Sequence, residues 1–122
     1  LINNSFAPAS GKKGPFQVRL AIEENRLNLD LRGPEAGSSE TIVLPLAPFR
    51  GIVKDYFMVC ESYYQAIKSS GLAQVEAIDI GRRALHDEGS RLLAERLADK
   101  VAVDHDTARR LFTLICVLHL RG

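Results

Sequence analysis

Residues 16–32 read FQVRLAIEENRLNLDLR, and the alternation in this stretch decides the fold class. Phe16, Val18, Leu20 and Ile22 alternate with Gln17, Arg19, Ala21 and Glu23, the period-two pattern of a strand with one buried face. Leu27, Leu29 and Leu31 repeat it, interleaved with Arg26, Asn28 and Asp30. A two-residue loop at Glu24-Asn25 sets Ile22 against Leu27, Leu20 against Leu29 and Val18 against Leu31. The same register sets Glu23 against Arg26 and Arg19 against Asp30 on the other face. A slip of one residue would ruin both faces together, so the sequence predicts this hairpin in this register. Asn25 suits the left-handed backbone that such a loop requires.

Working outward, residues 1–14 contain Pro8, Gly11 and Gly14 and read as an irregular N-terminal arm. Residues 15–122 are expected to form a single domain. Residues 33–40 read as a loop, after which Ile42, Leu44 and Leu46 mark a third strand. Pro45 lies on its alternate face; proline cannot donate to a ladder, so this strand is expected at the sheet edge. Pro48 then opens a helix, where its missing N–H costs nothing, and Gly71 closes it. Its apolar positions, from Phe49 through Tyr56 and Tyr63 to Ile67, fill half a helical wheel. A second helical region follows over 72–97, with a possible break at Asp87-Glu88-Gly89 and an apolar face of Val75, Ile78, Leu85, Leu92 and Leu93. Residues 100–103 suit a short strand or turn. Asp104 or Asp106 can cap a last helix, apolar almost all round from Leu111, which predicts central burial or an interface. The expected class is α+β: a three-stranded antiparallel meander with about three helices on one face.

A hydrophobic fraction of 46% and a charged fraction of 25% belong to an ordinary globular chain. The longest mostly apolar run, residues 111–120, is about half of the roughly 20 residues that a bilayer requires. Neither a membrane span nor a secretory leader is expected, and the reading is cytoplasmic. The chain opens on Leu1, so a natural start further upstream is also expected. Sixteen Lys and Arg balance fifteen Asp and Glu, without the charge excess that nucleic-acid binders carry. Cys60 and Cys116 belong to no paired motif, which predicts two inert buried thiols and no disulfide or metal site.

Longer blocks carry a resemblance. They include Asn-Ser-Phe-Ala-Pro at 4–8, Pro48-Phe49-Arg50, Lys54-Asp55-Tyr56-Phe57 and Cys60-Glu61-Ser62-Tyr63-Tyr64. Glu76-Ala77-Ile78-Asp79, Gly81-Arg82-Arg83, Glu88-Gly89-Ser90 and the run 106–119 continue it. Over nearly its whole length the chain resembles an uncharacterised bacterial family known mainly from alphaproteobacteria. The resemblance implies cytoplasmic placement and carries no activity, cofactor or catalytic residue.

One constellation invites chemistry. Asp79, Arg82 and His86 fall three and four residues apart, so they share one helical stripe. Arg82 points between Val75 and Ile78, where a guanidinium must find acceptors or a cleft. Asp79, Arg82, Arg83, His86 and Glu88 are therefore the candidate ligand-binding residues, for an anion or for acid–base work. The alternative is an internal salt bridge that fixes helix packing. Tyr56, Tyr63, Tyr64 and Phe57 suit core and rim better than a stacking surface. The arginine pairs at 82–83 and 109–110 suit solvated faces better than nucleic acid. Asp104-His105-Asp106 resembles a metal cluster only superficially, and no phosphate loop or nucleophile elbow is present. The favoured function is a non-enzymatic binding or assembly module, acting as a homodimer or with a protein partner and without a cofactor. A small enzyme or anionic-ligand sensor using the Asp79–Arg82–His86 stripe is the alternative.

Overall fold

The structure is a computed structural model that describes residues 6–12, 14–34 and 39–121. Three strands, Gln17–Glu23 (β2), Arg26–Arg32 (β3) and Ser39–Pro45 (β4), form an antiparallel sheet in the order β2-β3-β4. A short strand before them, Phe6–Pro8 (β1), pairs with a late one, Val101–Val103 (β5). Three helices complete the fold: Ala47–Ser69 (α1), Leu72–Leu97 (α2) and His105–Arg121 (α3). The class is α+β.

The hairpin has the register that the alternation predicts. Val18 faces Leu31, Leu20 faces Leu29, Ile22 faces Leu27, Arg19 faces Asp30 and Glu23 faces Arg26. The central strand buries Leu27, Leu29 and Leu31 completely, and Ile42 and Leu44 of β4 join them. On the opposite face Thr41 donates to Asp30 at 2.8 Å. Pro45 ends β4 at the sheet edge, as its missing donor requires. β4 begins at Ser39, so only the first part of the 33–40 loop precedes it; residues 35–38 lie outside the described residues.

Both loop residues of the hairpin are left-handed, Glu24 at φ 50° and Asn25 at φ 63°, as in a type I′ turn. A glutamate gains nothing from that conformation, whereas asparagine tolerates it. Glu24→Asn is therefore expected to stabilise the protein by about 0.5–1 kcal/mol in urea unfolding. An unchanged or lowered midpoint would contradict this account of the turn.

The fold departs from the sequence-based expectation in three places. First, the arm over 1–14 is not irregular throughout, because Phe6–Pro8 is a strand and the Ala9 amide donates to the Lys100 carbonyl at 2.8 Å. Second, α2 runs unbroken through Asp87-Glu88-Gly89, and its buried stripe is His86, Gly89, Ser90, Leu93 and Leu97. Of the expected apolar face Leu93 is fully buried, while Val75, Ile78, Leu85 and Leu92 are half-buried. Third, the apolar half-wheel of α1 is only partly covered. Phe49 and Val53 enter the core, but between Val53 and His86 only Ala66 is buried. The distal parts of α1 and α2 pack on each other, and Tyr64, Ile67, Leu72 and Ile80 face solvent. Wheel position alone cannot show where the sheet beneath a helix ends.

Asp104 caps α3, its Oδ1 accepting the Thr107 amide at 3.2 Å. Ala108, Leu111, Phe112, Ile115 and Cys116 of this helix are buried, while Leu114 and Val117 are exposed. Burial pushes the Cys116 thiol up to about 12, with Cys60 nearby adding to the shift, so Cys116 stays un-ionised.

Candidate functional site

α3 crosses α2 where Gly89 meets Phe112. A Cβ built on Gly89 would lie 2.2 Å from Cζ of the Phe112 ring, so only glycine admits this contact. The close crossing brings the flanking residues of both helices together. Tyr56, Arg82, Arg83, His86, Asp106, Arg109, Arg110 and Thr113 line one open cleft of about 600 Å³. Its contributors come from α1, α2 and α3.

The candidate residues of α2 divide by helical geometry. Asp79, Arg82, Arg83 and His86 lie within one arc, whereas Glu88 is two residues, about 200°, beyond His86. Glu88 is exposed and does not line the cleft. Asp79 lies behind the lining and organises it. Its Oδ1 accepts from Arg82 Nε at 2.8 Å, and its Oδ2 is 2.8 Å from a terminal nitrogen of Arg83. One carboxylate thus fixes two guanidiniums. Arg82 also sits over the Tyr63 ring, 5.6 Å from the centroid. The hydrogen bond to Asp79 holds the Arg82 guanidinium above its ordinary pKa.

His86 is the floor. Its ring packs edge-on against Tyr56 and Phe112, with centroids at 5.4 and 5.3 Å. His86 is not bonded to Arg82; its Nε2 lies 2.7 Å from Thr113 Oγ1, so its polar contact runs to α3. Thr113 donates its hydroxyl hydrogen to the Arg109 carbonyl at 3.0 Å. It must then accept from His86, which assigns the Nε2–H tautomer. Nδ1 is left as a buried lone pair with no partner among the described residues, which is less costly than an orphaned N–H. Burial lowers the His86 pKa, and Arg109 and Arg82 lower it further. The imidazole is therefore neutral at pH 7. Burial likewise raises the Tyr56 phenol, with Arg82 alongside pulling the other way.

This neutral histidine has a consequence for stability. Its folded pKa lies below the unfolded value near 6.5, so the unfolded chain binds the proton more readily. Stability should fall as the pH drops through that unfolded value, and the loss should level off below the folded pKa. His86→Gln, which keeps an N–H near Thr113, is expected to flatten this part of the pH–stability curve measured by thermal unfolding. Identical curves for both proteins between pH 7 and 5 would refute the assignment.

Five side chains of the cleft, Tyr56, Asp106, Arg109, Arg110 and Thr113, lie outside the stripe that the sequence spacing picks out. Arg109 and Arg110 were visible as a pair and Tyr56 as an aromatic, but nothing local says that α3 crosses at His86. Asp106, Arg109, Arg110 and Thr113 do share one face of α3, and that spacing is the signal available. The Asp104-His105-Asp106 run is divided: Asp104 caps α3, and His105 Nε2 lies 2.6 Å from Asp87 Oδ1. Among the described residues no group of three or more His, Cys, Asp or Glu side chains comes together as a metal site.

The model of an uncharacterised protein family, UPF0262, matches residues 1–121. The chain belongs to that family. A UPF0262 protein of Phenylobacterium zucineum is 57% identical over all of this chain, which spans 76% of that relative. One from Rhodospirillum rubrum is 58% identical over the same share. One from Rhodopseudomonas palustris is 56% identical over 98% of this chain and 73% of the relative. The alphaproteobacterial resemblance of the sequence blocks is thereby established. No solved structure matches the chain. UPF0262 carries no activity to transfer, so the site must be read from its own chemistry. Among the described residues no helix is long and apolar enough to cross a membrane.

Proposed function

We propose that the protein binds a small oxyanionic ligand in the cleft between α2 and α3. One observation carries this reading: two arginine pairs from separate helices line one cleft over a buried, neutral imidazole. Arg82 is held by Asp79 before any ligand arrives, so little of its side-chain freedom is lost on binding, and the exposed Arg83 pairs with the same carboxylate. Arg109 and Arg110 have no side-chain partner among the described residues, leaving their donors available. Guanidiniums arranged in this way suit tetrahedral and planar oxyanions. The stripe around Arg82 is thus read as a binding site rather than only as a packing device.

Thermal unfolding in sodium sulfate and in sodium chloride at equal ionic strength tests the reading. Saturable stabilisation by sulfate beyond that of chloride is expected. It should be lost when Arg109 and Arg110 are both replaced by glutamine. Equal stabilisation of wild type and variant would reduce the effect to general salting and remove the site.

A second reading, self-association or docking of a protein partner, is supported by a separate feature. Met58, Tyr64, Ile67, Leu72 and Ile80 expose apolar surface on the α1–α2 arm, as do Leu114 and Val117 on α3. Its test is a concentration-dependent mass in sedimentation. Cytoplasmic placement accompanies both readings, supported by the unpaired cysteines.

A further inference from the structure

Resting on the anion-binding reading, we infer that the ligand is a small hydroxylated phosphate ester, in which a dianionic phosphoryl group is joined to a sugar-like body. Charge excludes a weaker anion as the best fit. Four guanidiniums face only two carboxylates, Asp79 and Asp106, and His86 is neutral. The cleft therefore holds an excess of two positive charges, which one carboxylate cannot balance and a phosphoryl dianion can. Hydrogen bonding points the same way. The Arg82, Arg83, Arg109 and Arg110 side chains only donate, and a phosphoryl group offers three oxygens that only accept.

Size separates an ester from a bare ion. A cleft of about 600 Å³ lies in the usual range for small organic ligands, about 300–1,000 Å³, and far exceeds one tetrahedral ion. The rest of the lining suits the remainder of such a ligand. Asp106 is the single acidic side chain of the lining; it repels a phosphoryl group and accepts from hydroxyls. The Tyr56 ring offers apolar surface against a carbon skeleton. Phosphate among the arginines and hydroxyls towards Asp106 is the orientation that these groups select.

Titration calorimetry of the whole chain with ribose 5-phosphate, inorganic phosphate, gluconate and ribose separates the possibilities. Ribose 5-phosphate is expected to bind at least ten-fold more tightly than gluconate and several-fold more tightly than inorganic phosphate, with ribose silent. Asp106→Asn is expected to narrow the gap between ester and inorganic phosphate without weakening phosphate itself. Equal affinity for ester and inorganic phosphate would overturn the ester assignment while leaving the anion site intact. Gluconate binding as tightly as the ester would overturn the dianion assignment. Co-sedimentation with phosphatidic-acid vesicles, together with no gain for the ester, would reassign the phosphoryl group to a lipid surface and overturn the small-molecule claim. Failure of sulfate, inorganic phosphate and the ester alike would remove the anion site itself.

Discussion

Gly89→Ala is expected to destabilise the protein by about 2–3 kcal/mol, despite replacing a mid-helix glycine by the best helix former. The new methyl would stand 2.2, 2.4 and 2.7 Å from three carbons of the Phe112 ring, inside any real contact distance. That ring cannot swing away cheaply. Phe112 is completely buried and packs edge-on against both Tyr56 and His86. Either α3 lifts from α2 or the aromatic cluster rearranges, and both forfeit contacts of Leu93 and Ile115 in the same core. The gain in helix propensity, about 1 kcal/mol, offsets only part of this loss. Urea unfolding measures the difference directly. Adding Phe112→Leu to the alanine variant should recover part of the loss by making room, a coupling that distant substitutions would not show. A Gly89→Ala protein as stable as wild type would mean that the helices do not cross this closely.

Replacing Arg109 and Arg110 together by glutamine is expected to weaken oxyanion binding by about 100-fold, through two lost charge-assisted hydrogen bonds. Both side chains are exposed and, among the described residues, without an ion-pair partner, so the fold has little to lose. The two effects therefore separate: affinity collapses while the unfolding midpoint in chloride stays close to wild type. Removing Arg82 is a poorer probe, because it also strips Asp79 of one partner and Tyr63 of its cation. A double variant that binds sulfate as wild type does would place the anion elsewhere.

The sheet was legible in the sequence because strand pairing obeys a period of two on both faces at once. The pairs Leu20–Leu29 and Arg19–Asp30 allow one register and no other. The Asp79–Arg82 bond was legible for the same reason, a spacing of three on one helix. What lay beyond reach was tertiary. The possible break at Asp87-Glu88-Gly89 is continuous helix, and Gly89 is where the Phe112 ring of α3 comes close. His86 read as the end of an arginine stripe, yet its polar partner is Thr113, 27 residues away. Glu88 entered the candidate set through proximity in sequence and leaves the cleft by a 200° turn of the helix. Of the half-wheel of α1 only Phe49 and Val53 are fully buried, because contact with the sheet is not written in helical periodicity.

Two-dimensional amide NMR during titration with inorganic phosphate at constant ionic strength reports most directly on the cleft. The expected result is a saturable set of shifts confined to 82–86 and 106–113, with the His86 ring signal moving along the same isotherm. Shifts that are absent, or that spread over the whole surface in proportion to added salt, would contradict an anion site between α2 and α3.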